Sequence, residues 1–467
     1  MNFKRILAVA LPLLLLSAFL LNAELKDPSN QADYLVITHG DFTEEMRDLE
    51  IWRESKGLEV FTADLEQINA EFADTSEKQN EVIRNFISYA LTKWQKPAPK
   101  YLLLAGSVSH IPAWKVQSQF HDNDDFNEDS VSFDYLYSVN KNEKDHLPDI
   151  ALGRFPARNR EDMRNMIDKT IRFEDKLSKD DYEYEMLFLI AGDDYSMFNK
   201  STDDILEIFK NEPKYKKLTN DPEYEHYADK SEMIDEMSGN SRMLFNMHQG
   251  NPYIWFRSSS IKIEDVGDIT GNKPFIRFSY ASRQSFDDST DYYITDKLMA
   301  LKGGGSVSAL FYPGITYFQT LDMMIREFLT YSVERENLTI GEAFLHVKNK
   351  YYDTPPRYLK NMFSLLGDPA LELPVATIMS VASEMNDNIN LRTYPNPFNE
   401  SLNIEISADM GKVLSIKIVD QNGKPVKKLN PKNSNIVWQP EDISNGIYYV
   451  LVKTEQQNTV GKVIFRR

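Results

Sequence analysis

The sequence contains no cysteine among its 467 residues. This absence excludes a thiol nucleophile, a disulfide framework and the acylated cysteine of a lipoprotein. The stability of the fold must therefore come from apolar cores, which a hydrophobic content of 42% can supply. Cations bound on acidic loops are a further possible source of stability.

Basic residues are outnumbered by acidic ones, with 53 Lys and Arg against 71 Asp and Glu. The formal net charge is −18, and it becomes −20 without residues 1–23, which carry Lys4 and Arg5 and no acidic residue. A chain this acidic is repelled by phosphate backbones and by anionic lipid surfaces. We therefore expect no nucleic-acid partner.

Long apolar runs are confined to the N-terminus. Lys4 and Arg5 precede an apolar run from Ile6 to Leu21, and small residues follow, with a plausible cleavage site after Ala23. The run is short for a membrane anchor and its exit is polar, so residues 1–23 are predicted to be a signal peptide. No later segment is apolar enough to span a bilayer, so we expect no transmembrane segment after signal removal.

Strands and amphipathic helices alternate through most of the chain. "YLVITHGD" at 34–41 reads as a strand and turn, and helix-like and strand-like segments then follow in turn. This rhythm predicts an α/β fold of parallel sheets with flanking helices. We place one subdomain at 34–175 and a second at 185–375, because a new alternating set begins near Glu185.

The composition and the hydrophobic pattern of the sequence change towards the C-terminus. A predicted linker at 376–391 is rich in serine, asparagine and aspartate, and residues 392–467 read as short alternating strands with tight turns. These last residues predict a small β-sandwich. Their charge differs too, with eleven Lys and Arg against seven Asp and Glu.

One internal segment is strongly acidic. The loop "HDNDDFNEDS" at 121–130 contains Asp122, Asp124 and Asp125. It lacks the glycine and the distal glutamate of an EF-hand loop, so it is interpreted first as a solvated loop. Calcium bound there as a structural ion is the alternative, and the sequence predicts no other cofactor.

Three predicted strands of the second subdomain end in residues that could act together. Asp193 and Asp194 end one strand, His248 ends another, and Ala281 and Ser282 follow a third. In a triad, a carboxylate orients an imidazole, the imidazole takes a proton from a nucleophile, and backbone N–H groups hold the oxyanion. A single histidine at a strand end is more often structural or exposed to solvent, so the pattern alone is compatible with a triad and with a structural arrangement.

Residues 34–374 resemble the gingipain family of secreted cysteine peptidases, which has a caspase-like α/β fold. The resemblance rests on six segments in the same order: "YLLLAGSVSHIP", "LPDIALGRFPAR", "NMHQGNPYIW", "KPFIRFSYASRQSFDD", "GGGSVSAL" and "FSLLGDPALEL". It implies a fold and an ancestral activity, and it allows the site to be placed residue by residue.

The resemblance implies that the catalytic machinery is incomplete. The family's Gly-His-Gly turn reads Met247-His248-Gln249 here, so the histidine remains while Gln249 becomes the candidate for the backbone oxyanion N–H. The family's nucleophile precedes a Gly-x-Phe, and counting back from Phe286 places it at Ala281. Asp193, or Asp194 in its place, is the implied third member. Ser282 is a substitute nucleophile one residue further on.

Residues 392–467 resemble the C-terminal sorting domain of proteins exported by the type IX secretion system. "YPNPFNESLNIEI" and the terminal pair Arg466-Arg467 are part of the match. This resemblance implies that the secretion machinery is a partner of this module. The implied route runs through the periplasm and the outer membrane, and ends in release or in attachment to the cell surface.

Three functions remain open at this point. The first is a secreted, catalytically inactive gingipain homologue whose cleft binds a peptide or a protein, and the second is a working hydrolase that uses Ser282 or a water molecule. The third is a structural or adhesion component of the cell surface or of the secretion apparatus. An open cleft lined by His248 and Asp193 would favour binding, whereas a cleft filled by Arg283, Gln284 or Trp255 would favour a structural role.

Overall fold

The computed structural model describes most of the chain, in two compact units, Met1–Met379 and Ser380–Arg467. The described residues are 24–74, 77–117, 130–141, 146–175, 182–209, 213–248, 252–256, 261–281, 284, 292–353, 361–374, 391–406, 412–420, 424–429, 435–440, 443–454 and 458–466. The predicted signal peptide lies outside them, as does the predicted linker apart from Leu391.

The first unit is built on one ten-stranded sheet with the order β2-β1-β3-β6-β14-β13-β12-β9-β7-β8. Both predicted subdomains contribute strands to it. In chain order, the strands of this unit are β1 (Tyr34–Thr38), β2 (Val60–Asp64), β3 (Tyr101–Ala105), β4 (Trp114–Gln117), β5 (Ser130–Phe133), β6 (Ala151–Phe155), β7 (Tyr184–Ile190), β8 (Tyr215–Thr219), β9 (Ser241–Met247), β10 (Ile254–Trp255), β11 (Ile261–Lys262), β12 (Phe275–Ser279), β13 (Ser306–Phe311) and β14 (Ser364–Leu366).

Helices connect and cover these strands, as expected for parallel strands joined by crossovers. The last helix begins with a capping box, in which Thr339 and Glu342 satisfy each other's backbone N–H groups. In chain order, the helices are α1 (Thr43–Ser55), α2 (Leu65–Phe72), α3 (Gln79–Lys93), α4 (Arg160–Asp175), α5 (Tyr195–Ile208), α6 (Lys230–Met237), α7 (Ile294–Ala300), α8 (Phe318–Val333) and α9 (Ile340–Tyr351).

Alternation along the strands divides the core of the first half into two layers. In β1, Tyr34 and Val36 join one apolar cluster with residues of α1 and α4, whereas Leu35 and Ile37 join another with residues of α2 and α3. Successive side chains of a strand point to opposite faces of its sheet. A strand without charged positions, such as "YLVIT", is therefore buried on both faces.

The two halves of the sheet run in opposite directions. The strands β1, β2, β3 and β6 are parallel to one another, and so are β7, β8, β9, β12 and β13. The short β14 is parallel to β6 and antiparallel to β13. The carboxyl ends of the first-half strands consequently lie at the opposite edge of the sheet from those of the second half.

A buried ion-pair network ties helices of the first half to the segment after β14. Arg53 of α1 is 1% exposed. Its Nη1 donates to both carboxylate oxygens of Glu174 in α4 at 3.0 and 2.9 Å, and its Nε donates to Asp368 at 2.9 Å. Charges this deeply buried require such pairing.

A stack of phenylalanine rings fixes the register where the second-half strands meet. The ring centroids of Phe188 and Phe245 are 4.7 Å apart, and those of Phe245 and Phe278 are 4.8 Å apart. Cross-strand aromatic pairs of this kind stabilise one alignment of neighbouring strands. The stack occupies one face of the sheet, and the residues next to it in sequence occupy the other.

The second unit consists of two antiparallel sheets, with the orders β15-β16-β19 and β18-β17-β20-β21. One apolar core, with Trp438 and Ile404 from the first sheet and Ile418 and Val450 from the second, lies between them. The predicted fold class, an α/β region followed by a small β-sandwich, is confirmed. Its strands are β15 (Leu391–Tyr394), β16 (Leu402–Ile406), β17 (Val413–Asp420), β18 (Pro425–Leu429), β19 (Asn435–Trp438), β20 (Gly446–Thr454) and β21 (Asn458–Phe465).

Candidate active site

The three strands expected to carry the site are neighbours in the order β12-β9-β7 and are parallel. Tyr280 N donates to Asn246 O at 2.9 Å, and Ala191 N donates to Met247 O at 2.8 Å, so the pairing continues to the strand ends. Adjacent strands lie about 4.8 Å apart. Ala281 and the turn Gly192–Asp194 therefore leave the sheet on either side of His248.

The His248 imidazole is enclosed. Its residue is 1% exposed, and its ring centroid lies 5.4 Å from that of Trp255 and 4.7 Å from that of Phe256. Phe256 has a φ of 63°, a left-handed conformation that is unfavourable for a bulky side chain. Two aromatic rings thus pack against the histidine that a working peptidase would present to its substrate.

Asn246 links His248 to the strand that leads to Ala281. The Asn246 Nδ2 atom is 3.1 Å from His248 Nε2 and donates to Ser279 Oγ at 3.0 Å. Ser279 Oγ in turn accepts from the backbone N–H of Ala281 at 3.3 Å. The Ala281 residue is fully buried, and its methyl group can neither attack a carbonyl carbon nor give up a proton.

Asn246 and Ser279 were missed in the sequence analysis, although the sequence does carry a signal for them. Each lies two residues before a predicted site residue, His248 or Ala281, and side chains two apart on a strand share a face. The pairing of Ser279 with Asn246 then brings the two together. The register of neighbouring strands, which the sequence alone does not give, was the missing information.

A buried cation lies on the same face of the sheet as Ser279. Arg277 is fully buried, its Nη2 donates to Thr295 Oγ1 at 2.8 Å, and its guanidinium carbon is 5.2 Å from the Trp255 ring centre. Burial lowers the pKa of Arg277 to about 9, against the opposing effect of Asp296. The group stays charged at neutral pH, and it lies within cation–π distance of the Trp255 ring.

Gln284 is buried in the same region. It is 1% exposed, its backbone N–H donates to Tyr312 O at 3.1 Å, and its Oε1 accepts from Thr295 Oγ1 at 3.3 Å. Trp255 is also fully buried. Two of the three residues named as possible fillers of a cleft are therefore part of the packed interior.

Several predicted site residues lie outside the described part of the chain. They are Gln249, Ser282, Arg283 and the acidic candidates Asp122, Asp124 and Asp125. Asp193 is placed by its backbone in the turn after β7, but its side chain is not described. Their assigned roles, and the calcium site, therefore stay predictions.

Two family models match the chain. The model of peptidase family C25 matches residues 27–374, more than half of the sequence, so the chain belongs to this family. The model of a secretion-system C-terminal sorting domain matches residues 392–466. This module marks the protein for handling by the type IX system, which delivers proteins to the cell surface or the exterior.

Solved structures of gingipains share the fold. The arginine-specific cysteine proteinase gingipain R (RgpB) matches with a TM-score of 0.58 at 15% identity, covering 94% of this chain and all of that one. The complex of Porphyromonas gingivalis RgpB pro- and mature domains matches with a TM-score of 0.58 at 16% identity, covering 93% of this chain and all of that one. No curated protein matches.

Among the residues that the structure describes, no helix combines the length and the apolar composition that crossing a membrane requires.

Proposed function

We propose that the chain is an exported member of peptidase family C25 that has lost peptidase activity. The observation that carries the proposal is the pairing of β12 with β9, which puts the fully buried Ala281 beside His248. With no cysteine in the sequence, no thiolate can form anywhere in the protein. Export begins, in this proposal, with removal of residues 1–23.

Loss of the nucleophile accounts for the predicted inactivity. When one member of a triad is removed, the remaining groups no longer act as a unit, and turnover falls by on the order of a millionfold in a serine peptidase. An imidazole without a partner nucleophile is a poor attacker of an amide. The replacement of both family glycines by Met247 and Gln249 further favours an altered oxyanion turn.

The packing around His248 favours a structural role for this edge over peptide binding. Trp255 and Phe256 cover the ring that would face a peptide, and Gln284 is buried nearby. Displacing two aromatic rings from an apolar core costs several kcal/mol, which a bound peptide would have to offset. We infer that the edge was retained as part of the core, and that the protein serves at the cell surface as a structural or adhesive component.

A turnover assay tests the proposal. The purified protein is expected to release no product above the buffer blank from peptides with basic, acidic or apolar side chains. Reducing agent and calcium should not change this result, because neither supplies a nucleophile. An arginine-specific gingipain in the same assay provides the positive control.

The Ser282→Ala variant separates the alternatives. Cleavage by the unaltered protein that disappears in Ser282→Ala would make it a serine-type hydrolase and overturn the proposal. Cleavage that persists in Ser282→Ala but disappears in His248→Ala would also overturn it, in favour of a water nucleophile activated by the histidine.

A further inference from the structure

A second cluster of chemically competent side chains lies at the other edge of the ten-stranded sheet. His39 follows β1 and His110 lies in the loop after β3, and these two strands are parallel neighbours. Together with Asp41, each residue offers one ligand atom, and these atoms lie within 4.8 Å of one another. Since the two halves of the sheet run in opposite directions, this cluster is separate from His248.

We propose that His39, Asp41 and His110 bind one divalent transition-metal ion of the zinc type. Two imidazole nitrogens and one carboxylate oxygen are the donor set that zinc and its neighbours prefer. Calcium and magnesium favour all-oxygen sites and fit this set poorly. The inference is independent of whether the protein has peptidase activity.

The spacing of two donors already matches a metal site. His39 Nδ1 is 3.2 Å from Asp41 Oδ2. Two ligands bound at about 2.0–2.1 Å in a tetrahedral site lie about 3.4 Å apart. The Nδ1 lone pair now accepts the Asp41 backbone N–H at 3.2 Å, and a metal bound to Nδ1 would take the place of that hydrogen bond. The ligand atom of His110 lies within 4.8 Å of the other two.

His110 has a partner that sets the orientation of its ring. Its Nδ1 atom is 2.9 Å from Ser107 Oγ, and Ser107 Oγ is 2.7 Å from Ser109 Oγ. A proton on Nδ1 donated to Ser107 leaves the Nε2 lone pair for a metal, which is the usual arrangement of a ligating histidine.

A buried arginine holds the loop that carries His110 in place through hydrogen bonds to its backbone. Arg154 of β6 is 1% exposed, and its Nη1 donates to Gly106 O at 2.8 Å and to Ile111 O at 3.0 Å. Its Nε and Nη2 each donate to a carboxylate oxygen of Asp134 at 2.7 Å. Both ends of the loop are thus held by one buried ion pair, so His110 is positioned before any ion arrives.

The imidazoles of His39 and His110 pack beside each other and near the Phe42 ring. The ring centroids of His39 and His110 are 5.2 Å apart, and the Phe42 ring centroid is 4.7 Å from that of His110. Gly106 allows this close packing, because a Cβ atom there would lie 3.0 Å from His110 Cβ and its φ of 153° disfavours other residues.

The outer side of the cluster remains open to solvent. The side chains of His39 and Asp41 are 40% and 66% exposed, so an ion can enter and keep a water molecule as an additional ligand. A bound ion would tie the segment after β1 to the loop after β3. It would provide a cross-link in a protein that has no disulfides.

Metal titration of the tag-free exported protein tests the proposal. With zinc chloride as the probe, isothermal titration calorimetry should give one site per chain, and zinc should raise the melting temperature. Calcium and magnesium chloride should not displace zinc from this site. Cobalt(II) should give visible absorption bands of a low-symmetry nitrogen and oxygen site.

Three substitutions locate the ion. Asp41→Asn, His39→Ala and His110→Ala should each weaken zinc binding at least about tenfold, whereas His226→Ala should not. His226 is the matched control because its side chain is 50% exposed and also lies beside a carboxylate, Glu225. Melting curves without metal show whether each variant is folded, and Asp41→Asn retains the size of the exposed aspartate. Binding that is absent in the unaltered protein, or that survives all three substitutions, would overturn the proposal.

Discussion

Removal of residues 392–467 is expected to abolish export from the native host while leaving the first unit folded. Among the described residues, each unit has its own apolar core, three clusters in the first unit and one in the second. The truncated protein should therefore melt as one cooperative unit. Its extracellular or surface-bound amount should fall at least about tenfold, because the matched sorting module is gone.

Fractionation followed by immunoblotting measures this result. A periplasmic reporter fused to residues 392–467 tests whether the module is sufficient as well as necessary. Normal export of the truncated protein would show that the match at 392–466 does not direct sorting here. Loss of cooperative unfolding on truncation would instead contradict the independence of the two cores.

A thiol introduced by Ala281→Cys is expected to react with a maleimide at least about 100-fold more slowly than one introduced by Ser55→Cys. Ala281 is fully buried, so its substituted side chain reacts only in molecules that open locally. Ser55 is exposed at the end of α1. Because the chain contains no other cysteine, labelling followed by mass spectrometry reports on a single thiol in each variant.

Replacing His248 in the Ala281→Cys background distinguishes a packed edge from a working dyad. In a packed edge, His248→Ala leaves a cavity, so labelling of the thiol should stay the same or become faster. In an open dyad, the imidazole would lower the pKa of the thiol, and its loss would slow labelling. Rapid labelling of Ala281→Cys that depends on His248 would contradict the closed arrangement of Trp255 and Phe256.

The sequence was sufficient to predict many of the strands, although it did not indicate β4, β5 or β8. Segments such as "YLVIT" and "YLLLA" have no charged position, and each is a fully buried strand. The order of strand and turn also placed His248 and Ala281 at strand ends. These features depend on local composition and on period, which a single sequence contains.

The relations between distant segments could not be predicted in the same way. The hydrophobic pattern of β14 does not state that it pairs antiparallel with β13 and parallel with β6, so the opposite directions of the two halves were missed. The enclosure of His248 depends on the positions of Trp255 and Phe256 in space, which the sequence alone does not give. His39 and His110 come together only because β1 pairs with β3, although each stands near a strand end.

The central claim is that no side chain at the His248 edge can act as a nucleophile, and covalent labelling tests it most directly. The unaltered protein is incubated with a fluorophosphonate, which forms a stable adduct with activated serines, and its intact mass is measured. We predict an unchanged mass, because Ala281 cannot react and His248 is packed against aromatic rings. A stoichiometric adduct that maps to Ser282 and is lost in both Ser282→Ala and His248→Ala would contradict the account.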